Sequence, residues 1–362
     1  MKYVFSVLNV VITLAGHWLV FVIYKYYFEI ENIYTLMAVA GILMMFVSLA
    51  VIAPLLIHWR DNILSRSLYL IVGLWIGVML NIVLTAGVLA LIGSAGLTLD
   101  AIVQKWIIAV MPYLMLLPEA WAAQAHRIKR AEVKIKDLPD AWVGKIVVHL
   151  SDIHLGPIWR QRFFDRLVEK VKSLKSDAVF ITGDLFDGMD SNFDWFQKRH
   201  FQTPLGVYYS FGNHDLNLGA ERVRSLLSTS GIRILDNELV NVAGLQILGL
   251  TCYNKGRLDM GNRILTRVGY DMNQPSILMY HEPLDIKAAR EAGIDLELSG
   301  HTHGGQMFPM DIVANILYKG FGGGLYRLPG FTLSVSFGAG TWGPPLRLGS
   351  RSDIVVLKLL KA

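Results

Sequence analysis

Ile146-Val147-Val148-His149-Leu150-Ser151-Asp152-Ile153-His154 is a mostly apolar run that ends on a carboxylate and an imidazole two residues apart. Strands buried on both faces read as continuous apolar stretches rather than alternating ones. Residues 146–150 therefore predict a buried strand, with Asp152 and His154 just past its carboxyl end. The pattern recurs along the chain. Residues 178–181 precede Gly183-Asp184, and residues 207–211 precede Gly212-Asn213-His214-Asp215. Residues 276–280 precede His281, and residues 296–298 precede Gly300-His301-Thr302-His303. In open α/β sheets, ligands bind outside the carboxyl ends of the strands. The reading therefore places all of these side chains along one rim of one sheet, as a metal site.

Asp152, His154, Asp184, Asn213, His281, His301 and His303 are more ligands than one ion needs. A structural zinc uses four, commonly cysteines. This chain has one cysteine, Cys252, which excludes a thiolate site. Carboxylate, amide and imidazole together suit Mn²⁺, Fe or Zn²⁺ better than Mg²⁺ or Ca²⁺, which prefer oxygen shells. Two such ions clamp a phosphoryl group and generate a nucleophile for in-line attack. Taken singly, each motif is weak: Gly-Asp is usually a turn, and Asn, Asp and Gly dominate turns. Their joint occurrence in order and strand context carries the reading. The remaining histidines are not read as ligands. His149 is a core residue inside a strand, His17 and His58 lie in or beside apolar runs, and His126 and His200 lie near basic residues. Asp187, Asp190 and Asp194 read as loop carboxylates, with Asp187 close enough to the rim to touch substrate.

The ordered motifs D-x-H, G-D, G-N-H-D, H and G-H-T-H resemble the calcineurin-like metallophosphoesterase superfamily over residues 127–362. The tail Leu298-Ser299-Gly300-His301-Thr302-His303-Gly304-Gly305-Gln306, with the Leu138-Pro139 lead-in, is similar to its YkuE-like and YaeI-like branch. The resemblance implies a four-layer α/β-β/α sandwich. It implies one metal on Asp152, His154 and His303, a second on Asn213, His281 and His301, and Asp184 bridging both. It implies that His214 contacts the scissile phosphate and protonates the leaving oxygen, with Asp215 orienting the imidazole and raising its pKa. The implied nucleophile is a metal-bridging hydroxide, so no serine or cysteine nucleophile is required.

The chain before residue 126 has a different character. Of 362 residues, 53% are apolar and 17% charged, a charge fraction below the usual quarter. The deficit is concentrated in four apolar stretches, residues 4–24, 34–57, 68–92 and 106–125. Each is about 20 residues or longer, enough to span a hydrocarbon core of about 30 Å. The first is too long for a secretory signal and lacks a cleavage site. The fourth contains Pro112, Pro118 and Glu119, and reads as a kinked span or an interfacial helix. The expected organisation is a transmembrane domain of about four helices over 1–126 and a phosphoesterase domain over 127–362. Gly73 and Gly77 read as a close-packing face within the bundle.

Charge sets the expected orientation. Lys2, Arg60, Arg66 and the run Arg127, Lys129, Arg130, Lys134 and Lys136 fall on one side of four spans. The opposite loops mix Lys25 with Glu29 and Glu31, and Asp100 with Lys105. Basic loops stay cytoplasmic, so the catalytic domain is expected on the cytoplasmic side of a multi-pass cell-membrane protein. The run 127–136 reads as a stop-transfer flank or a patch for anionic headgroups.

Between the motifs, residues 160–175 predict an amphipathic helix, and 220–228 and 284–292 further helices. Residues 231–243 and 245–251 predict strands of a second sheet, and 252–275 an insert over the site. The apolar stretch 307–321, ending at Phe321 before three glycines, reads as a core helix or as a flap that shapes an acyl groove or dips into the bilayer.

Two classes of function are open at this point. One is a membrane-anchored, two-metal phosphohydrolase cleaving a phosphate ester or pyrophosphate. Its substrate is either lipid-linked, as UDP-2,3-diacylglucosamine is for another enzyme of the superfamily, or soluble. The other is a membrane sensor built on a degenerate phosphoesterase domain, against which the intact ligand set and His214 argue. No aromatic-interleaved basic groove points to nucleic acid. The net charge of +5 suits an anionic lipid or phosphate substrate, and equally a membrane protein with basic flanks.

Overall fold

The computed structural model describes residues 2–189, 191–196, 201–251 and 263–362. They form two compact units, one of residues 1–121 with 343–346 and one of residues 122–342 with 347–362.

The first unit is helical: α1 (Lys2–Tyr27), α2 (Ile33–Trp59), α3 (Ile63–Ser94), α4 (Ala101–Leu114) and the start of α5 (Leu116–Gln124). Side chains cap several of these helices. Asn32 accepts from the N–H groups of Tyr34 and Thr35, and Asn62 forms a capping box with Ser65. α4 and α5 are separated at Met115, because Pro118 has no N–H to donate to the carbonyl one turn back. The fourth apolar stretch is thus a broken helix, and the two pieces together reach across residues 101–124. Ile33–Trp59, Ile63–Ser94 and Ala101–Gln124 are each long and apolar enough to cross a membrane, and Val11–Tyr27 is a shorter apolar stretch. Asn81 Nδ2 donates to the Pro112 carbonyl at 3.2 Å. A Cβ on Gly73 would lie 3.3 Å from Pro345, and one on Gly77 2.2 Å from Leu346. These glycines therefore admit residues 343–346 as well as helix, a partner the bundle-packing expectation did not include.

The second unit holds twelve strands in two sheets. The first sheet comprises β1 (Arg127–Ile135), β2 (Ile146–Leu150), β3 (Ala178–Thr182), β4 (Val207–Ser210), β5 (Arg233–Ile234) and β12 (Asp353–Lys361), in the order β1-β12-β2-β3-β4-β5. The second comprises β6 (Glu238–Val242), β7 (Leu245–Leu250), β8 (Ser276–Tyr280), β9 (Leu296–Ser299), β10 (Gly324–Leu328) and β11 (Phe331–Val335), in the order β10-β11-β9-β8-β7-β6. β2, β3, β4 and β5 run parallel, as do β7, β8, β9 and β11; β12, β6 and β10 make antiparallel pairs.

The sheets face each other across one core. Val147, Phe180 and Tyr208 from the first meet Leu245, Ile277, Met279, Leu296 and Leu298 from the second. The outer face of the first sheet is covered by α6 (Gln161–Ser173) and α8 (Ala220–Leu227), which bury Phe163, Phe164, Leu167, Val223 and Leu226. The second sheet packs with α10 (Ile286–Glu291) through Ile286 and Ala289. Short helices α7 (Asn213–Leu218) and α9 (Arg263–Arg267) and the exposed α11 (Met310–Leu317) complete the unit. This is the four-layer α/β-β/α sandwich expected from the motifs.

One reading gains structural detail and two require correction. The basic run 127–136 is mostly strand: β1 pairs in parallel with β12, and Lys129 Nζ lies 2.7 Å from Asp353 Oδ2. Exposed Arg127, Arg130 and Lys134 place charge on an edge strand, a common guard against edge-to-edge pairing. Residues 231–243 do not form one strand. β5 joins the first sheet and β6 the second, with the chain crossing between them. Finally, α11 is not a core helix, since it buries only Ala314. His200, Asp190 and residues 252–262 of the expected insert fall outside the described residues.

Candidate metal centre

Each motif leaves the carboxyl end of a strand, but from two sheets rather than one. Asp152 and His154 follow β2, Asp184 follows β3, and Asn213 and His214 begin α7 after β4. His281 follows β8 and His301 and His303 follow β9, in the second sheet. Apolar strand runs look alike in either sheet, which is why a single rim was expected. Because the sheets are stacked, their carboxyl ends lie together, and the site straddles the sandwich.

The backbone at this rim is strained. Asp152, His154, Asp184, His301 and His303 all have left-handed φ, between 50° and 68°. Non-glycine residues seldom adopt this conformation, and clusters of it mark functional sites. It turns the chain sharply off each strand and leaves five ligand-type side chains in one small volume. Two glycines make this approach possible. A Cβ on Gly183 would lie 2.5 Å from the Gly212 nitrogen and 2.8 Å from His281 Nδ1, and one on Gly300 would lie 2.2 Å from Asp152 Oδ2.

Among the described residues three groups of metal-type donors result, one of them His154, Asp187 and His214, and the other two hold the expected ligands. In the first, His154 Nε2 and His303 Nε2 are 3.0 Å apart, and Asp152 Oδ1 lies 3.4 Å from His303 Nε2 and 3.8 Å from His154 Nε2. In the second, His281 Nε2 is 3.1 Å from His301 Nδ1 and 3.2 Å from Asp184 Oδ2. The groups meet at Asp184. Its Oδ1 accepts from the His214 backbone N–H at 2.8 Å, while Oδ2 faces His281 and lies 3.8 Å from His154 Nε2.

These residues fit metal ions by a test internal to the structure. Buried polar atoms normally find a hydrogen-bond partner. Asp152 Oδ1 and Asn213 Oδ1 are buried without one. By contrast, Asp152 Oδ2 is held by the His301 N–H at 2.9 Å, leaving Oδ1 alone to point inward. His281 Nδ1 lies 2.8 Å from the Thr182 carbonyl, which fixes the proton there and frees Nε2 as a lone-pair donor. Facing pairs of imidazole nitrogens beside unpartnered oxygens are what a cation requires.

Charge in the protein alone reflects the same crowding. Burial opposes a charged His281, but the neighbouring Asp184 and Asp152 outweigh it and push the imidazole up to about 10. Burial raises the Asp187 carboxyl to about 7. Burial lowers His214, against a smaller upward pull from Asp184.

His214 does not depend on Asp215 as expected. Its Nδ1 lies 2.9 Å from the Asp187 backbone carbonyl. The Asp215 carboxylate instead accepts the N–H groups of Asp184 at 2.6 Å, Gly212 at 2.9 Å and Phe186 at 3.0 Å. It ties the loop after β3 to the loop after β4, and so shapes the site through the main chain. The expectation failed because sequence adjacency placed Asp215 beside His214, whereas the first turn of α7 points the two side chains apart. His149 is a satisfied core residue, 2.9 Å from Thr182 Oγ1.

Four residues at the site were missed or underread. Asp187 is buried with Oδ1 3.9 Å from His154 Nδ1, behind the ligand rather than out on the rim. Its three-residue spacing from Asp184 was the available signal. Arg347 is fully buried and donates to the carbonyls of His303 at 2.9 Å and Gly340 at 2.8 Å, bracing the last ligand loop. Gln306 exchanges two 3.0 Å hydrogen bonds with the backbone of Trp342, whose ring lies 5.8 Å from that of His214. The Tyr318 ring lies 5.9 Å from that of His301. The glutamine of the G-H-T-H-G-G-Q run was the clue to Trp342; nothing in the sequence marked Arg347.

With this geometry in place, comparison with known proteins gives the family. The calcineurin-like phosphoesterase family matches residues 146–305, the span from β2 to the loop after β9. An uncharacterized metallophosphoesterase of Helicobacter pylori is 35% identical over 264 residues, covering 68% of this chain and 69% of the relative. A transmembrane protein with metallophosphoesterase domain from Danio rerio is 34% identical, covering 67% of this chain and 59% of that protein. The uncharacterized metallophosphoesterase YkuE of Bacillus subtilis is 27% identical, covering 65% of this chain and 87% of that protein. The chain belongs to the calcineurin-like metallophosphoesterases. It is a metal-dependent phosphoesterase that carries apolar helices of membrane-spanning length.

Proposed function

We propose that this protein is a multi-pass membrane phosphohydrolase with a two-metal centre, cleaving a phosphate ester or pyrophosphate in a lipid-linked substrate such as UDP-2,3-diacylglucosamine. The observation that carries the reading is the meeting of two donor groups at one oxygen, Asp184 Oδ2, 3.2 Å from His281 Nε2 and 3.8 Å from His154 Nε2. Asp152, His154 and His303 would hold one ion, Asn213, His281 and His301 the other, and Asp184 would serve both. Imidazole, amide and carboxylate donors favour Mn, Fe or Zn. When bound, the two ions supply Lewis acidity and lower the pKa of water for attack on phosphorus.

The chain's own groups do the rest. The Asp187 carbonyl accepts from Nδ1–H of His214, so Nε2 faces the phosphate; in the imidazolium form, which the phosphate's negative charge favours against burial, Nε2–H gives its proton to the leaving oxygen. Trp342 and Tyr318 stand beside His214 and His301 as apolar walls that keep bulk water from the phosphate. Arg347 and Asp215 keep the loops in register through backbone bonds. The positive-inside distribution of Lys and Arg supports a catalytic unit on the cytoplasmic face of the cell membrane. Membrane presentation of substrate is supported by the three helices of spanning length in the same chain.

The test compares an acylated nucleotide sugar or phospholipid with its deacylated headgroup in detergent micelles. Burial of two or three methylenes, each worth about 0.8 kcal/mol, gives the acylated form an advantage of about tenfold or more in kcat/KM. Equal rates would replace the lipid substrate by soluble phosphodiesters.

A further inference from the structure

α11 exposes the wrong residues for water. Ile312 is 52% exposed, Val313 41%, Ile316 72% and Leu317 68%. Their spacing places them on one face of the helix. Phe308 and Met310, just before and at its start, are exposed as well. The opposite face is anchored: Ala314 is buried, and a Cβ on Gly305 would lie 2.0 Å from the Asp311 nitrogen. The helix is thus fixed to the unit by one side and offers an aliphatic face on the other. Contiguous exposed apolar patches mark interaction sites.

Several observations identify what covers this face. Three helices of the chain are long and apolar enough to cross a membrane, so a bilayer is an apolar surface available to the protein. The face is aliphatic, without the Tyr, Trp and Arg that dominate protein–protein hot spots. Past the helix come Tyr318 and exposed Lys319, residue types that settle at headgroup depth. Eight residues make a helix about 12 Å long, too short to cross a bilayer but able to lie in its surface.

We propose that α11 is an interfacial membrane helix, seated in the headgroup and upper acyl region on Ile312, Val313, Ile316 and Leu317. Its position in the chain gives the contact a purpose. Six residues separate His303 from Met310, and Tyr318, which ends the helix, packs beside His301. A helix seated this way holds the last two metal ligands at headgroup depth, where the phosphate of a lipid would be presented. That purpose rests on the lipid-linked substrate; the contact itself does not.

The test uses the full-length chain with its single cysteine replaced (Cys252→Ser), reconstituted into phosphatidylcholine–phosphatidylglycerol vesicles. Ile316→Cys, Ile312→Cys and Val313→Cys are each labelled with an environment-sensitive fluorophore, so that one poorly folding variant leaves the others. Lys287→Cys, on the exposed face of α10, is the control. Labels at 312, 313 and 316 are expected to shift to the blue and lose most of their emission to lipids brominated high on the acyl chain. The label at 287 is expected to respond only to an aqueous quencher. Aqueous quenching at 312, 313 and 316 equal to that at 287 would overturn the proposal. Shielding from water without quenching by brominated lipid would also overturn it, in favour of a protein partner or second copy. Because the readout is depth rather than turnover, lipid quenching with equal rates on acylated and deacylated substrates would sustain α11 as an anchor and defeat only the lipid-linked substrate.

Discussion

Nδ1 of His214 lies 2.9 Å from the backbone carbonyl of Asp187, so a main-chain atom of the loop after β3 orients the imidazole. A backbone acceptor cannot titrate, and the orientation of His214 therefore persists across pH. His214→Ala is expected to keep its metals and lose about 10²–10⁴ in rate, the usual contribution of a general acid. The loss should be smallest for p-nitrophenyl esters, whose leaving group needs no proton. A leaving-group series on both proteins measures this, and a uniform loss would reduce His214 to an electrostatic role.

The side chain of Asp187 has a separate task. Its Oδ1 is 3.9 Å from Nδ1 of His154 and is buried without a partner. A carboxylate behind a metal-bound imidazole orients it and strengthens it as a donor. Asp187→Asn should lower metal affinity by about 10–100-fold while the His214 contact, made to the main chain, survives. Competition with a chelator checks the affinity, and unchanged retention would show that Asp187 only fills space.

Glu297 on β9 is fully buried, and burial raises its carboxyl from 4.5 to about 8, with Ser299 opposing and Asp285 adding to the shift. Between those two values the folded protein holds a proton that the unfolded chain has released. Stability therefore falls as pH rises through this window and levels off above about 8. Glu297→Gln keeps the shape without the ionisation. It should raise the Tm by several degrees near pH 8.5 and change it little near pH 4, as thermal melts across pH would reveal. An equal effect at both ends would point to packing instead of charge.

The clustering of these side chains was legible because each polar motif interrupts an apolar run that folds locally as a strand. Asp152 after 146–150 and His281 after 276–280 needed no tertiary information to be noticed. The division of the strands between two sheets was not legible, because β3 and β8 bury every residue alike. The chain crosses between the layers from β5 to β6 and again from β11 to β12, and residues 231–243 gave no sign of the first crossing. Contacts through the backbone were equally hidden. Asp215 binds three N–H groups that no side-chain pattern announces, and Arg347 finds carbonyl acceptors from a loop of glycines. The face of α11 was ambiguous for another reason: an apolar helix reads the same whether protein or lipid covers it.

The central claim is that one carboxylate oxygen, Asp184 Oδ2, joins two metal sites built from two sheets. Elemental analysis of the purified protein tests it most directly. The wild-type chain should carry about two transition-metal ions, the number a two-metal phosphoesterase requires. Asp184→Asn, with fold confirmed by circular dichroism, should lose both along with activity. A folded Asp184→Asn protein that retains its full metal content would contradict the account.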